Sequence, residues 1–155
     1  MAKLEVGEIA PDFTLPLAEG GSFTLSQALT KVEKGYIIYF YPRAMTPGCT
    51  TEACDFRDAY SELQKAGYGI LGISPDPVER LEKFQAKQSL NFPLAADPEK
   101  EVLSAWGAYG EKKNFGKIVR GVIRSTFVVG KDGKIVQAEY GVRAKGHVDR
   151  LQQKL

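Results

Sequence analysis

The chain of 155 residues holds two cysteines, two methionines, one tryptophan and one histidine, and each scarcity excludes something. Two Cys and the lone His147 cannot supply the usual four ligands of a structural zinc site. No C-x-x-C-H is present to attach haem, so neither a metal nor another cofactor is expected. No apolar run approaches the length of about 20 residues that crosses a bilayer, and the opening MAKLEVGEIAPDF lacks an apolar signal core. The expected compartment is the cytoplasm, with no membrane partner. Charge is almost balanced, 21 Lys and Arg against 19 Asp and Glu. The lysines are scattered and form no basic block, which argues against nucleic acid as a partner. In a reducing compartment, two cysteines this close together are catalytic or metal-binding more often than a structural staple.

What is present is ordinary for a globular protein: 43% hydrophobic and 26% charged residues, with no internal repeat and no low-complexity segment. The length suits one domain, residues 1–155, with a substantial core. Chemical reach is concentrated in Tyr41 to Cys54, Y-P-R-A-M-T-P-G-C-T-T-E-A-C, which contains both cysteines. Just upstream, Tyr36 to Tyr41 (YIIYFY) reads as a strand buried on both faces, and Pro42 stops it. Thr46 is a good N-cap and Pro47 a good first helical residue, which puts Cys49 in the opening turn of a helix ending at Gly67.

At about 100° per residue, Cys49, Ala53, Phe56, Tyr60 and Leu63 form a narrow apolar stripe, so Cys49 faces the protein body. Cys54 lies roughly 140° away around the helix, among Thr50, Arg57, Asp58 and Ser61 on the wet face. A thiol in a first turn meets unpaired N–H groups and the positive end of the helix dipole, which favour thiolate. In an intact helix the two Cα atoms stand about 8.7 Å apart, whereas a disulfide needs less than about 7 Å. Closing a bridge between them therefore requires this turn to melt. Position alone leaves two readings open for each thiol, a nucleophile or a buried core cysteine for Cys49, and a partner thiol or an incidental surface one for Cys54.

The rest of the chain alternates. Phe13–Leu17 and Ser22–Leu25 read as short strands around Glu19-Gly20-Gly21, and Ser26 as the cap of a brief helix ending near Gly35. Gly69–Ser74 is a second buried strand, parallel to the first because a helix connects them. Asp76, Pro77 and Glu79 open a capped helix to about Ser89, and Asp97-Pro98 another to about Trp106, after a short apolar piece from Asn91 to Ala96. Gly107 to Gly121, rich in glycine and lysine, reads as a long loop or hinge. Ile123–Val129 and Lys134–Tyr140 form a hairpin around Lys131-Asp132-Gly133, and a short final helix follows Gly146. The pattern predicts an α/β protein with a central mixed β-sheet flanked by helices.

P-R-A-M-T-P-G-C fits P-x-x-x-T-x-x-C, and TPGCTTEACDFRD together with EKKNFGKIVRGVIRSTF (Glu111 to Phe127) resembles the two active-site segments of peroxiredoxins, specifically the bacterioferritin comigratory protein or peroxiredoxin Q group. The resemblance runs from A-P-D-F near the start to G-H-V-D-R-L near the end. It implies a thioredoxin-like fold with an N-terminal β-hairpin extension, and a thiol peroxidase that reduces hydrogen peroxide and organic hydroperoxides. In that family Cys49 corresponds to the peroxidatic cysteine, which takes an oxygen from the peroxide and becomes sulfenic acid. Cys54 corresponds to the resolving cysteine, which closes an intramolecular disulfide that thioredoxin or a similar dithiol reopens. Members of the group are often monomeric, and a monomer is expected.

The resemblance also assigns Thr46 to hydrogen-bond the peroxide or the thiolate, Pro42 to shield the thiolate, and Arg124 to stabilise thiolate and developing oxygen charge. Glu52, about 60° from the centre of the apolar stripe, is placed to orient Arg124; an exposed helical glutamate is the plainer reading. His147 reads as a helix-start surface residue, and Tyr39 and Trp106 as core. Arg43-Ala44-Met45 departs from the more polar run usual before this threonine, and Ser74-Pro75-Asp76-Pro77 is unusually proline-rich. Met45 is expected to make the site mouth more apolar, so that organic hydroperoxides are accepted as well as hydrogen peroxide. Two other functions compete: a general thiol–disulfide oxidoreductase, whose usual C-x-x-C spacing is absent, and a structural or chaperone-like binding protein with a passive disulfide.

Overall fold

A computed structural model describes residues 3–114 and 116–155. Met1 and Ala2 of the opening stretch, and Phe115 within the second peroxiredoxin-like segment and the expected Gly107–Gly121 loop, lie outside the described residues. The elements in chain order are β1 (Thr14–Pro16), β2 (Ser22–Thr24), α1 (Leu25–Leu29), β3 (Gly35–Phe40), α2 (Pro47–Lys65), β4 (Tyr68–Ser74), α3 (Val78–Lys87), β5 (Leu94–Ala96), α4 (Glu101–Ala105), β6 (Tyr109–Asn114), β7 (Lys117–Val122), β8 (Ser125–Gly130), β9 (Ile135–Tyr140) and α5 (His147–Gln153).

Five strands form the central sheet in the order β5-β4-β3-β8-β9. β3 pairs parallel with β4 and antiparallel with β8, so the sheet is mixed, as the crossover helix and the late hairpin predicted. Alternation along the strands splits the core in two. Ile37, Tyr39 and Tyr41 face α2, α3 and α5, while Ile38 and Phe40 face α1, α4, Trp106 and the β1–β2 hairpin. The two glycines of GILGIS are there for the tyrosines across the strand. A Cβ on Gly69 would come within 2.4 Å of the Tyr36 ring, and one on Gly72 within 2.9 Å of the Tyr39 ring. On the α2 side Phe56 is fully buried and stacks on Tyr39 with ring centroids 4.5 Å apart. Cutting such a side chain to alanine costs about 3–5 kcal/mol.

The N-terminal segment ties both margins of the sheet. Ala18 donates its N–H to Leu94 O at 2.9 Å on the β5 side, and Gly7 N–H donates to Ile135 O at 2.8 Å at the start of β9.

Three expectations are corrected. The stretch from Gly107 to Gly121 is mostly an antiparallel ribbon of β6 and β7, with Tyr109 opposite Val122. Much of this ribbon is solvent-exposed, so it carries no clean apolar alternation, and its order comes from cross-strand pairing and from Lys100 and Arg120 lying over the Tyr109 ring. The helix after Asp97-Pro98 begins only at Glu101, although the Asp97 carboxylate still accepts from the Leu103 N–H at 2.8 Å. Ser26 lies inside α1, and its N–H is bound by Asp12 from outside the helix, at 2.9 Å.

Candidate active site

The parallel pair β3–β4 ends at one rim of the sheet, and the chain leaves β3 there through Tyr41 to Thr46 into the start of α2. Cys49 sits in that first turn with 1% of its surface exposed, on the core-facing stripe as its spacing predicted. Arg124 lies in the two-residue gap between β7 and β8. Its Nη2 donates to Cys49 Sγ at 3.3 Å, and its Nη1 donates to Glu52 Oε1. Gly48 makes room for this approach, since a Cβ there would stand 3.3 Å from Arg124 Nη2. Residues 75 positions apart in sequence thus meet because the antiparallel β8 lies beside β3.

Glu52 is fully buried rather than exposed, and its Oε2 has no partner among the described residues. Burial pushes its carboxyl up to about 7 against the pull of the Arg124 guanidinium. Burial also works against charge on Arg124, but Glu52 and Cys49 outweigh it and hold the guanidinium protonated. The pair therefore presents a fixed positive group to the sulfur and stabilises negative charge there. Behind it, Tyr39 and Tyr41 are buried phenols whose ionisation burial opposes, so both stay neutral.

Thr46 occupies the N-cap position, but its hydroxyl donates backwards to Arg43 O at 2.8 Å and accepts from no N–H of the helix. Pro42 is half-buried just beyond β3. Cys54 is half-buried rather than on a fully wet face. Its Sγ donates to Gln88 Oε1 at 3.5 Å, and the same residue's backbone carbonyl accepts from Arg57 Nη1 at 2.7 Å. Both thiols are free, and α2 is continuous past them.

Two groups escaped the sequence reading. His147 does start a helix, but it is 2% exposed, with Nε2 2.8 Å from Thr126 Oγ1, and burial lowers its affinity for a proton. Asp76 does not cap α3. Its carboxylate reaches back to the β3–α2 loop and accepts from the Ala44 N–H at 2.7 Å. The unusual Ser-Pro-Asp-Pro run was the available signal for it.

The comparisons with known proteins agree with this geometry. The model of the AhpC/TSA family matches residues 6–138. A Mycobacterium tuberculosis protein bearing the peroxiredoxin name is 54% identical over 153 residues, 99% of this chain and 96% of its own. The chain belongs to the peroxiredoxins. Peroxiredoxin Bcp of Escherichia coli is 41% identical, with 96% of this chain and 94% of that one covered. Among solved structures, the bacterioferritin comigratory protein of Xanthomonas campestris superposes with a TM-score of 0.86 at 39% identity, covering 99% of this chain and 96% of that chain. This peroxiredoxin is thus a thiol peroxidase of thioredoxin-like fold, acting on peroxides with electrons from a thiol reductant. None of its described helices is long and apolar enough to cross a membrane.

Proposed function

We propose that Cys49 is the peroxidatic cysteine and Cys54 the resolving one. The Cys49 sulfur attacks the terminal oxygen of the peroxide, the O–O bond breaks, and the other oxygen leaves with a proton as water or alcohol. Sulfur is oxidised by two electrons to sulfenic acid. The Cys54 thiolate then attacks Cys49 Sγ and expels hydroxide, leaving a disulfide that a dithiol reduces back to two thiols. The observation that carries this reading is the Arg124 bridge, one guanidinium donating both to Cys49 Sγ and to the buried Glu52. Arg124 stabilises the charge that moves from sulfur to oxygen, Glu52 holds it in place, the Thr46 hydroxyl turns from Arg43 O to the peroxide when substrate arrives, and Pro42 limits water at the sulfur.

Hydrogen peroxide and organic hydroperoxides are both substrates in this reading. The structure of the Xanthomonas campestris relative is described in terms of alkyl peroxide reduction, and here Met45 packs half-buried against the core beside the site. Thioredoxin or a similar dithiol is the proposed reductant, attacking the more accessible Cys54 sulfur. The proposed working unit is a cytoplasmic monomer of one domain, residues 1–155; the family match over residues 6–138 supports the single domain. A general thiol–disulfide exchanger fits poorly, because the two sulfurs stand five residues apart on a continuous helix.

Mass spectrometry of peroxide-treated protein tests the proposal: one Cys49–Cys54 bridge within a single chain is expected, and two thiols surviving stoichiometric peroxide would end it. Far-UV circular dichroism should lose helix signal on bridge formation, as the first turns of α2 unwind. Trp106 packs on the other face of the sheet from Cys49, so its fluorescence is a less direct probe of the reacting sulfur.

A further inference from the structure

We infer that Asp76 and Arg80 are positioning residues for the peroxide step, holding the β3–α2 loop in the shape that presents the peroxidatic site. Ala44 is fully buried in that loop, and both sides of its backbone are gripped by side chains from the β4–α3 corner. Its N–H donates to Asp76 Oδ2 at 2.7 Å, and its carbonyl accepts from Arg80 Nη2 at 2.8 Å. The grip is itself fixed. Ser74 Oγ donates to Asp76 Oδ2 at 2.8 Å, and Arg80 Nε stands 3.3 Å from Asp76 Oδ1, in ion-pair range without hydrogen-bond geometry.

What the grip holds is a conformation the loop does not favour by itself. Met45, the next residue, has φ +66°, the left-handed region that costs a non-glycine residue roughly 1–2 kcal/mol. Such a residue persists where its surroundings over-determine it. Met45 is followed directly by Thr46, whose hydroxyl folds back on Arg43 inside the same loop, and then by the helix start bearing Cys49. Releasing Ala44 lets Met45 relax, which moves Thr46 and the opening turn together relative to Arg124, whose place is set from β8. Displacements of about 1 Å at a reacting centre cost up to about a hundredfold in rate. The clamp grips upstream of α2, so it leaves the helix free to unwind for the second step.

The inference rests on Cys49 being the peroxidatic residue, and the test separates the two claims. In a Cys54→Ser background, the rate at which peroxide converts Cys49 to sulfenic acid is followed by rapid quench and mass spectrometry. If that parent is not oxidised at Cys49, the assignment of Cys49 fails, whatever Asp76 does. Given oxidation in the parent, Asp76→Ala and Arg80→Gln should each slow it about tenfold or more, and Asp76→Asn, which keeps an acceptor for the Ala44 N–H, should recover most of the rate. Arg80 is 30% exposed, so its variant carries the test if Asp76→Ala does not fold. In the two-cysteine protein, disulfide formation from the sulfenic acid should not be slowed by either change. A Val129→Ala control, in the core on the opposite face of the sheet, marks what general destabilisation does. Parental oxidation rates in both variants, or equal slowing of both steps as in the control, would overturn the inference.

Discussion

The two thiols share one helix and differ in almost everything around them. Cys49 is buried, with a guanidinium on its sulfur that is itself tied to a buried carboxylate. Cys54 is half-buried, and its one side-chain hydrogen bond among the described residues runs to a neutral amide at 3.5 Å. The Cys49 corner is built to hold charge still. At the Cys54 corner the sulfur's own bond to the end of α3 is long and neutral, while the firmer tie there, Arg57 Nη1 to the Gln88 carbonyl at 2.7 Å, does not involve the sulfur. In the proposed mechanism these surroundings, more than the thiol itself, would set which sulfur meets the peroxide and which one moves.

The sharpest way to break this contrast is to exchange the two sulfurs for hydroxyls one at a time. Cys49→Ser should abolish peroxide reduction, and Cys54 should not substitute for it. Cys54→Ser should react once at near the parental rate and then stall, one oxygen heavier, in a peroxide-consumption assay read beside mass spectrometry. Sustained turnover by Cys54→Ser with a dithiol donor would erase the proposed division of labour.

Removing the charge from the Cys49 corner comes next. Arg124→Leu should slow the peroxide step by about 10²–10³-fold, the size of effect seen when one preorganised donor is lost. It also strands Glu52, and breaking a buried pair from one side costs about 3–5 kcal/mol of stability, so the melting temperature should fall. Arg124→Lys restores charge but not the two-armed fork, and should recover only part of the rate.

A smaller effect separates Glu52 from its partner. Burial pushes the Glu52 carboxyl up to about 7 in the fold, from the ordinary glutamate value of 4.5. Between those values the folded protein keeps a proton that the unfolded chain has released, so this site makes the protein less stable as pH rises from about 4.5 to about 7 and adds no further loss above it. Glu52→Gln lacks that slope. Denaturant midpoints measured across this range should shift in favour of the variant as pH rises; parallel curves would show that Glu52 does not titrate as described. The smallest effect belongs to the Cys54 corner. Gln88→Ala removes a hydrogen bond worth about 1 kcal/mol or less, and disulfide formation should quicken by no more than about fivefold in a stopped-flow trace.

The parts of the molecule that could be read from the chain are those governed by neighbours in sequence. YIIYFY announced β3 because every side chain in it is apolar or aromatic, and the stripe from Cys49 to Leu63 announced which side of α2 is buried. Glu52 was legible only as a position on the helix; its ion pair depends on Arg124 arriving from the turn just before β8, far along the chain. His147 looked like a surface residue because nothing local shows that α5 docks over Thr126. Asp76 looked like a helix cap because a carboxylate before Pro-Val-Glu satisfies that pattern equally well, and only the sheet reveals that it turns to Ala44 instead. The β6–β7 ribbon was missed for the opposite reason: little of it is buried, so its composition resembles that of a loop.

The strap formed by the first residues has a consequence for how this protein behaves in bulk. A five-stranded open sheet offers two bare margins on which another copy could add a strand, and residues 7 to 18 occupy part of each, pairing with β5 at Leu94 and with the approach to β9 at Ile135. Trimming that strap would expose unpaired backbone on both sides at once. The first symptom of such a deletion should be turbidity on concentration, deepened by the loss of Phe13 and Leu15 from the core.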